Sequence, residues 1–196
     1  MADLGRAFIK SQDAREIGKI GNFSDANRYE IELGLPNGLL GNVDLPTKKL
    51  QSTLIRCESV SFPGRNLRTQ GDFNHYGPPL EIVHGLTFGE VALSFYANQD
   101  LDERVLFEEW QKLTYDTETY DIGYYQDYIG SVSVFVLDRQ DKRRYGVRLE
   151  EAYPKSIDPL PLSYSSGSTI NRVGVSIQYR YWTNLETEVR DRSAED

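Results

Sequence analysis

The chain has 196 residues, 39% of them hydrophobic and 12% aromatic, with a formal net charge of −8 at pH 7. Such a length suits one domain with a real core, and the apolar share excludes a disordered chain. The acidic balance excludes a nucleic-acid reader, which needs a basic footprint, yet allows an acidic wall along which a polyanion slides without sticking.

Thirteen tyrosines against one methionine favour strands, because aromatic side chains suit pleated, half-buried surfaces. Cys57 is the single cysteine. No intramolecular disulfide or thiolate metal cluster can therefore form, and the thiol reads as buried and inert. Met1–Lys10 carries no long apolar region, and no stretch approaches the ~18 residues that span a bilayer. Synthesis and residence in the cytosol, with no stable membrane insertion, are the expectation.

Residues 1–26 mix charge and glycine around the scattered anchors Leu4, Phe8, Ile17 and Ile20, and read as an N-terminal arm. Asn27–Leu33 places Tyr29, Ile31 and Leu33 on one face of a first strand. Gly34–Gly41 carries Pro36, Asn37 and Gly38 and predicts a turn, opening an excursion that runs through Lys48 and Lys49. Ser52–Phe62 resumes strand character until Pro63 and Gly64 stop it. From there to Pro79 the chain is polar and rich in glycine and proline, a connection of about fifteen residues, and loops that long usually bind something.

Leu80–His84 predicts a short strand. Phe88–Tyr96 alternates, with Val91, Leu93 and Phe95 inward and Glu90, Ala92 and Ser94 outward. Asp100 with Glu103 fits an acidic capping box, and Leu106, Trp110 and Leu113 follow at helical spacing, with Phe107 flanking the stripe. One amphipathic helix ending near Thr114 is the result, with Glu108, Glu109 and Lys112 toward water. Tyr115–Tyr128 is rich in tyrosine. Ser131–Leu137 and Tyr145–Glu151 then alternate as a hairpin around the charged tip Asp138–Arg144. Tyr153–Ser168, with Pro154, Pro159 and Pro161, reads as a loop. The last run buries Val173, Val175, Ile177, Tyr179 and Tyr181 against a wet face of Arg172, Gly174, Ser176, Gln178 and Arg180. The organisation is an arm over 1–26, a domain over 27–183 and a polar tail over 184–196.

Chemistry-bearing residues are sparse. His75 lies in the Gly/Pro-rich connection and His84 at a strand end, neither with a second ligand at metal-binding spacing. No nucleophile elbow, phosphate loop or dinucleotide fingerprint is present. Asp100, Asp102 and Glu103, or Glu108 and Glu109, could mimic a carboxylate pair, but the helix dipole and solvent account for them. Tyr115, Tyr120, Tyr124, Tyr125 and Tyr128 could stack bases or sugars. Interleaved with Asp116, Glu118, Asp121 and Asp127 they repel phosphate and suit a subunit contact instead. No catalytic, cofactor or metal residue is assigned, and no enzyme is expected. An assembling strand protein must also cover its sheet edges, and pairing with its own copies does so.

Several segments together resemble the tail tube proteins of contractile-tailed bacteriophages, over Asn27 to Trp182. Asn27-Arg28-Tyr29-Glu30-Ile31 is similar to the family's first strand, and Cys57–Arg65 to its strand ending in a Pro-Gly-Arg turn, followed by Thr69. Leu86–Val91 with Phe95-Tyr96 resembles the strand before the helix, and Phe107-Glu108-Glu109-Trp110 the helix itself. Tyr124–Tyr128 is similar to the tyrosine stretch ahead of the hairpin, and Tyr153–Ile157 and Tyr179-Arg180-Tyr181-Trp182 match the closing elements. The order and spacing of these segments carry the likeness.

The resemblance implies a mainly β fold, a two-sheet antiparallel β-sandwich or barrel with one flanking α-helix, assembling into stacked hexameric rings. The partners it implies are further copies, a tail sheath protein, a tape-measure protein, and baseplate and tube-initiator proteins, with DNA passing non-specifically through the lumen. Assembly in the host cytoplasm into the virion tail follows. Inter-ring or inter-subunit candidates are the arm and the Gly64–Pro79 connection, in particular Phe62, Pro63, Gly64, Arg65, Asn66, His75 and Tyr76. Lumen candidates are Glu90, Ser94, Ser131 and Ser133. The longer arm and the Gly34–Gln51 excursion leave open a baseplate tube initiator, and a type VI secretion-like tube protein is a further alternative. Outside the fold group stand a carbohydrate-binding sandwich using the tyrosines and an enzyme built around His75 or His84.

Overall fold

Alternating apolar residues build strands wherever the pattern is strict, and their register decides the layers. The structure, a computed structural model, describes residues 24–42, 53–54, 56–72, 76–78, 80–163 and 170–185. Most of the expected arm, the Lys48–Lys49 excursion, His75 and the tail from Glu186 lie outside the described residues. The strands are β1 (Tyr29–Gly34), β2 (Cys57–Val60), β3 (Asn66–Asp72), β4 (Leu80–Thr87), β5 (Val91–Tyr96), β6 (Gly130–Leu137), β7 (Arg143–Ile157), β8 (Arg172–Gln178) and β9 (Tyr181–Asn184). The helices are α1 (Asn37–Asn42), α2 (Asp102–Thr114) and α3 (Tyr125–Tyr128).

Pairing is antiparallel throughout, in the order β1-β6-β7-β8-β5-β2, with β9 also on β7 and with β3 and β4 as a separate pair. The fold is mainly β, in two layers. β7 belongs to both: Arg143 to Leu149 pair with β6 and Val147 to Glu150 with β9, a last β6 pair at Ala152 follows a register shift, and Tyr153 onward pairs with β8. Between these halves Glu151 takes a left-handed φ of 54°, the kink that turns the strand. β8 and β9 change layers at the same corner, around Arg180. The long sheet does not close, because β1 and β2 end it unpaired with one another.

One core fills the space between the layers. Ile31, Val132, Val134, Val147 and Leu149 come from one side, and Val91, Leu93, Phe95, Val173, Val175 and Ile177 from the other. Helix α2 closes it with Phe107 and Trp110, the Phe107 ring lying 5.4 Å from that of Phe95, and Leu106 on the same helix is buried as well. Each such side chain contributes about 1.5–3 kcal/mol on burial.

Several expectations are corrected. Tyr181 is 42% exposed, because the bend at Arg180 ends the inward alternation after Tyr179. Asn37–Gly38 opens helix α1 rather than a turn, since Leu39 is buried and Gly38 lies against Leu113 and the Asp127 carbonyl. The strand expected from Ser52 starts only at Cys57, after a helical turn at Thr53 and Leu54. β7 runs through Pro154 to Ile157, where a loop was expected; a register shift beside Pro154 accommodates the missing donor. The capping box is absent: helix α2 begins at Asp102, with Leu101 at its N-cap and no side-chain cap. Glu103 is instead 0% exposed, holding Arg56 at 2.5 Å and the Asn98 N–H at 3.0 Å. A buried charge needs such partners.

Candidate assembly surfaces

The Gly/Pro-rich connection is a ribbon. β3 and β4 pair from Asn66 opposite Thr87 to Asp72 opposite Leu80, with His84 the extra, exposed residue of a bulge. Opposed residues share a face, so Leu67, Val83 and Leu86 lie on one side and Leu80 and Ile82 on the other. All five are exposed, Leu67 at 60%. Two strands alone are marginal in water, and apolar residues on both faces leave this pair short of neighbours.

The interface candidates sit at the two ends of this ribbon. At the root, the Phe62 ring tilts against Tyr145 at 5.8 Å, Pro63 is half-buried and Gly64 is in open space. Arg65 lies over the Trp182 ring at 4.5 Å. Asn66 starts β3, its carbonyl accepting from the Thr87 hydroxyl at 3.3 Å. At the tip, Tyr76 is fully exposed. The ribbon's apolar residues Leu67, Ile82, Val83 and Leu86 escaped notice in the sequence, because Asn66–Asp72 carries a single apolar side chain and shows no alternation. The signal available was Leu80–Thr87, whose apolar residues lack a helical stripe and need a partner strand.

The lumen candidates separate. Glu90 is exposed and ion-paired with Lys155, which raises the lysine's pKa. Ser94 is half-buried beside Glu58, to which its hydroxyl donates at 3.5 Å. These two share the outer face of β5 and β8 with the short side chains of Ala92, Gly174 and Ser176; Asp158 packs on Gly174, and residues 158–163 wall a pocket of about 670 Å³ over Ala92 and Ser94. Glu58 is paired there as well: Arg172 holds its carboxyl below the usual glutamate range through a 2.5 Å hydrogen bond. Ser131 and Ser133 lie on the other layer. Ser133 is 4% exposed, so it is no wet-face residue; Arg148 covers it and donates to its hydroxyl at 3.3 Å. On the same face Arg143 lies over Phe135 and bridges Glu30 and Glu32. Alternation failed there because β6 is buried on both faces, Phe135 packing on Leu185.

Among the described residues, two further surfaces are open. β1 and β2 face one another across a cleft lined by Tyr29, Ile31, Leu54 and Cys57, spanned by the Tyr29 hydroxyl, which donates to the Cys57 carbonyl at 3.1 Å. Burial pushes the Cys57 thiol up to about 11, so it stays protonated and unreactive. The tyrosine-rich segment folds back as a tight loop, Tyr115 bridging Ile122. It exposes Tyr120, Ile122 and Tyr124. Among the described residues no cluster of His, Cys, Asp or Glu is placed to hold a metal ion, and no helix is long and apolar enough to cross a membrane.

The phage tail tube protein family model matches residues 24–185. No curated protein sequence matches the chain. Among solved structures, the chain is similar to one from the PVC sheath–tube complex of an extracellular contractile injection system in its extended state. Identity there is 11%, the TM-score is 0.58, and the match covers 89% of this chain and 99% of that one. A chain from the anti-feeding prophage baseplate matches with 12% identity and a TM-score of 0.58, covering 84% and 97%. One from the anti-feeding prophage tube-terminating cap matches with 12% identity and a TM-score of 0.56, covering 94% and 99%. At such identities the likeness is one of fold.

Proposed function

The chain belongs to the phage tail tube protein family, and from that premise we propose that it is the repeating subunit of a contractile tail tube. Six copies form a ring, and rings stack around a lumen that conducts DNA and holds the tape-measure protein before ejection. The observation that supports this reading most is made of the described residues: β1 and β2 have no partner on their outer edges, and the separate ribbon carries apolar residues on both faces. Each is a liability in a monomer and an asset in an array, because pairing between copies removes edges and covers apolar surface.

The work of such a subunit is geometric. The β5–β8 face, short-chained along its strands and with Arg172 and Lys155 both paired to carboxylates, suits a wall that must not grip DNA, and is our candidate for the lumen. The ribbon, from Phe62 to Tyr76 and back, is the candidate contact between subunits or rings. A sheath outside and a baseplate with its initiator below are the partners; related folds occur in a sheath–tube complex and a baseplate. Assembly takes place in the host cytoplasm and the product resides in the virion tail.

Negative-stain electron microscopy of the purified protein across a concentration series tests the reading. Hollow tubes or stacked rings are expected. Monomers at every concentration would overturn self-polymerisation, and growth only on an added baseplate component would identify an initiator.

A further inference from the structure

The ribbon β3–β4 hangs on two legs, and each carries a glycine: Gly64 before β3 and Gly89 after β4. A Cβ at either would meet no atom within 4 Å, and neither adopts a left-handed φ. The observed pose therefore requires glycine at neither leg. Glycine in an exposed leg loosens the backbone, so its presence at both suits a second pose. Among the described residues no strand of the main sheet pairs with the ribbon. Two side-chain contacts steady it instead: Arg65 over Trp182 at 4.5 Å, and Phe88 against Tyr179 with ring centres 5.8 Å apart.

Both anchor residues carry a polar atom that is buried without a hydrogen-bond partner, the Tyr179 hydroxyl and Trp182 Nε1. Buried donors are normally satisfied, and an orphan is destabilising. Two of them beneath one weakly held element mark a pose that is not the best available. A second copy of this chain offers what the ribbon lacks: two strand edges unpaired among the described residues, flanking a cleft lined by Tyr29, Ile31 and Leu54.

We propose that the ribbon is a hinged arm which turns about Gly64 and Gly89 when the subunit joins a second copy. The turn buries Leu67, Val83 and Leu86 on that copy and frees the Trp182 and Tyr179 donors to find acceptors. A hinge is a few loop residues that absorb a change of φ and ψ between rigid parts, and two glycine legs on a paired ribbon supply that. The inference rests on the tube reading, since it gives the motion its partner.

Spin labels at Gln70→Cys on the ribbon and Lys112→Cys on helix α2, in the full chain with Cys57→Ala, report the hinge angle within one subunit. Distances are measured by pulsed electron resonance in free subunits and in tubes where labelled chains are diluted into unlabelled ones. A distance distribution displaced between the two by more than its width is expected. Tubes with the subunit's own distance would overturn the hinge while leaving the tube reading intact; no tubes from the unlabelled protein would overturn both. The Gly64→Ala/Gly89→Ala pair locates the pivot. It should melt with the parent subunit yet lengthen tubes several-fold more slowly, and growth at the parent rate would overturn the glycine assignment.

Discussion

Trp110 shows how much one side chain carries. It is 0% exposed, stacks on Phe107 with ring centres 6.5 Å apart, and donates from Nε1 to the Tyr128 carbonyl at 2.7 Å. Trp110→Ala should cost about 3–5 kcal/mol, whereas Trp110→Phe keeps most of the volume and should cost about 1–3 kcal/mol for the unpaired carbonyl. Urea denaturation of the subunit reads both, and a loss under ~1 kcal/mol for the alanine would mean that helix α2 is not docked. Glu151 carries the corner of the fold in a different way. Its carboxyl is held below the usual glutamate range by the Tyr125 hydroxyl at 2.7 Å and then by Arg180 at 2.9 Å. A lowered folded pKa stabilises above the unfolded value, near 4.5, and that gain is lost as pH falls through the folded value. Burial and Glu151 push Tyr125 the other way, from 10.0 up to about 12, so its share is full below 10.0 and fades through about 12. Thermal melts across pH should show both limbs; Glu151→Gln should flatten the acid limb, and an unchanged acid slope would remove the carboxylate from the account.

At the scale of elements, β8 is the plainest case of pattern becoming structure. Val173, Val175 and Ile177 alternate in sequence, and all three are buried, Val175 standing opposite Leu93 on β5 and Ile157 on β7. Val175→Asp places a carboxylate where no cation waits, and burial of an unpaired charge is among the largest single-residue penalties. No folded subunit is expected by circular dichroism, and a cooperative melt near the parent's would refute the strand's inward face. β5 and helix α2 were legible for the same reason: a strict period of two, or apolar residues at helical spacing, leaves one solution. What stayed hidden depends on tertiary contacts. The helix α1 forms because Leu39 finds a buried seat, and Glu103 is buried because Arg56, distant in sequence, meets it. Ser133 looked wet because alternation supposes one solvated face, and β6 has none. The strand β3 carries no periodicity of its own; only β4 opposite makes it a strand. Of the interface candidates, Phe62 to Asn66 and Tyr76 do fall at the root and tip of one element, but its apolar faces were not foreseen.

Across the whole molecule, the formal charge of −8 has to be set against where the charges stand. On the β5–β8 face Glu58 is paired with Arg172 and Glu90 with Lys155, and the Asp158 carboxyl lies over Gly174, so both of these cations are matched and the side chains of the strands themselves are short. A wall whose cations are already paired would give phosphate little to hold, and surplus acidity elsewhere would repel a polyanion. Glu58→Lys with Glu90→Lys tests this assignment, because it replaces two matched pairs by four cations without touching the core. If this face lines the lumen, tubes of the double variant should retain short duplex DNA at low salt and release it steeply as salt rises, since neutralised phosphates shed their counterions. Parent tubes should retain none. Both residues are exposed or half-exposed, so the variant should melt within a few degrees of the parent and still form tubes. Retention confined to the tube exterior, seen by nuclease sensitivity of the bound DNA, would place the face outside. Parent tubes that hold DNA at low salt would remove the non-adhesive wall from the mechanism, and with it the reason for matching these charges.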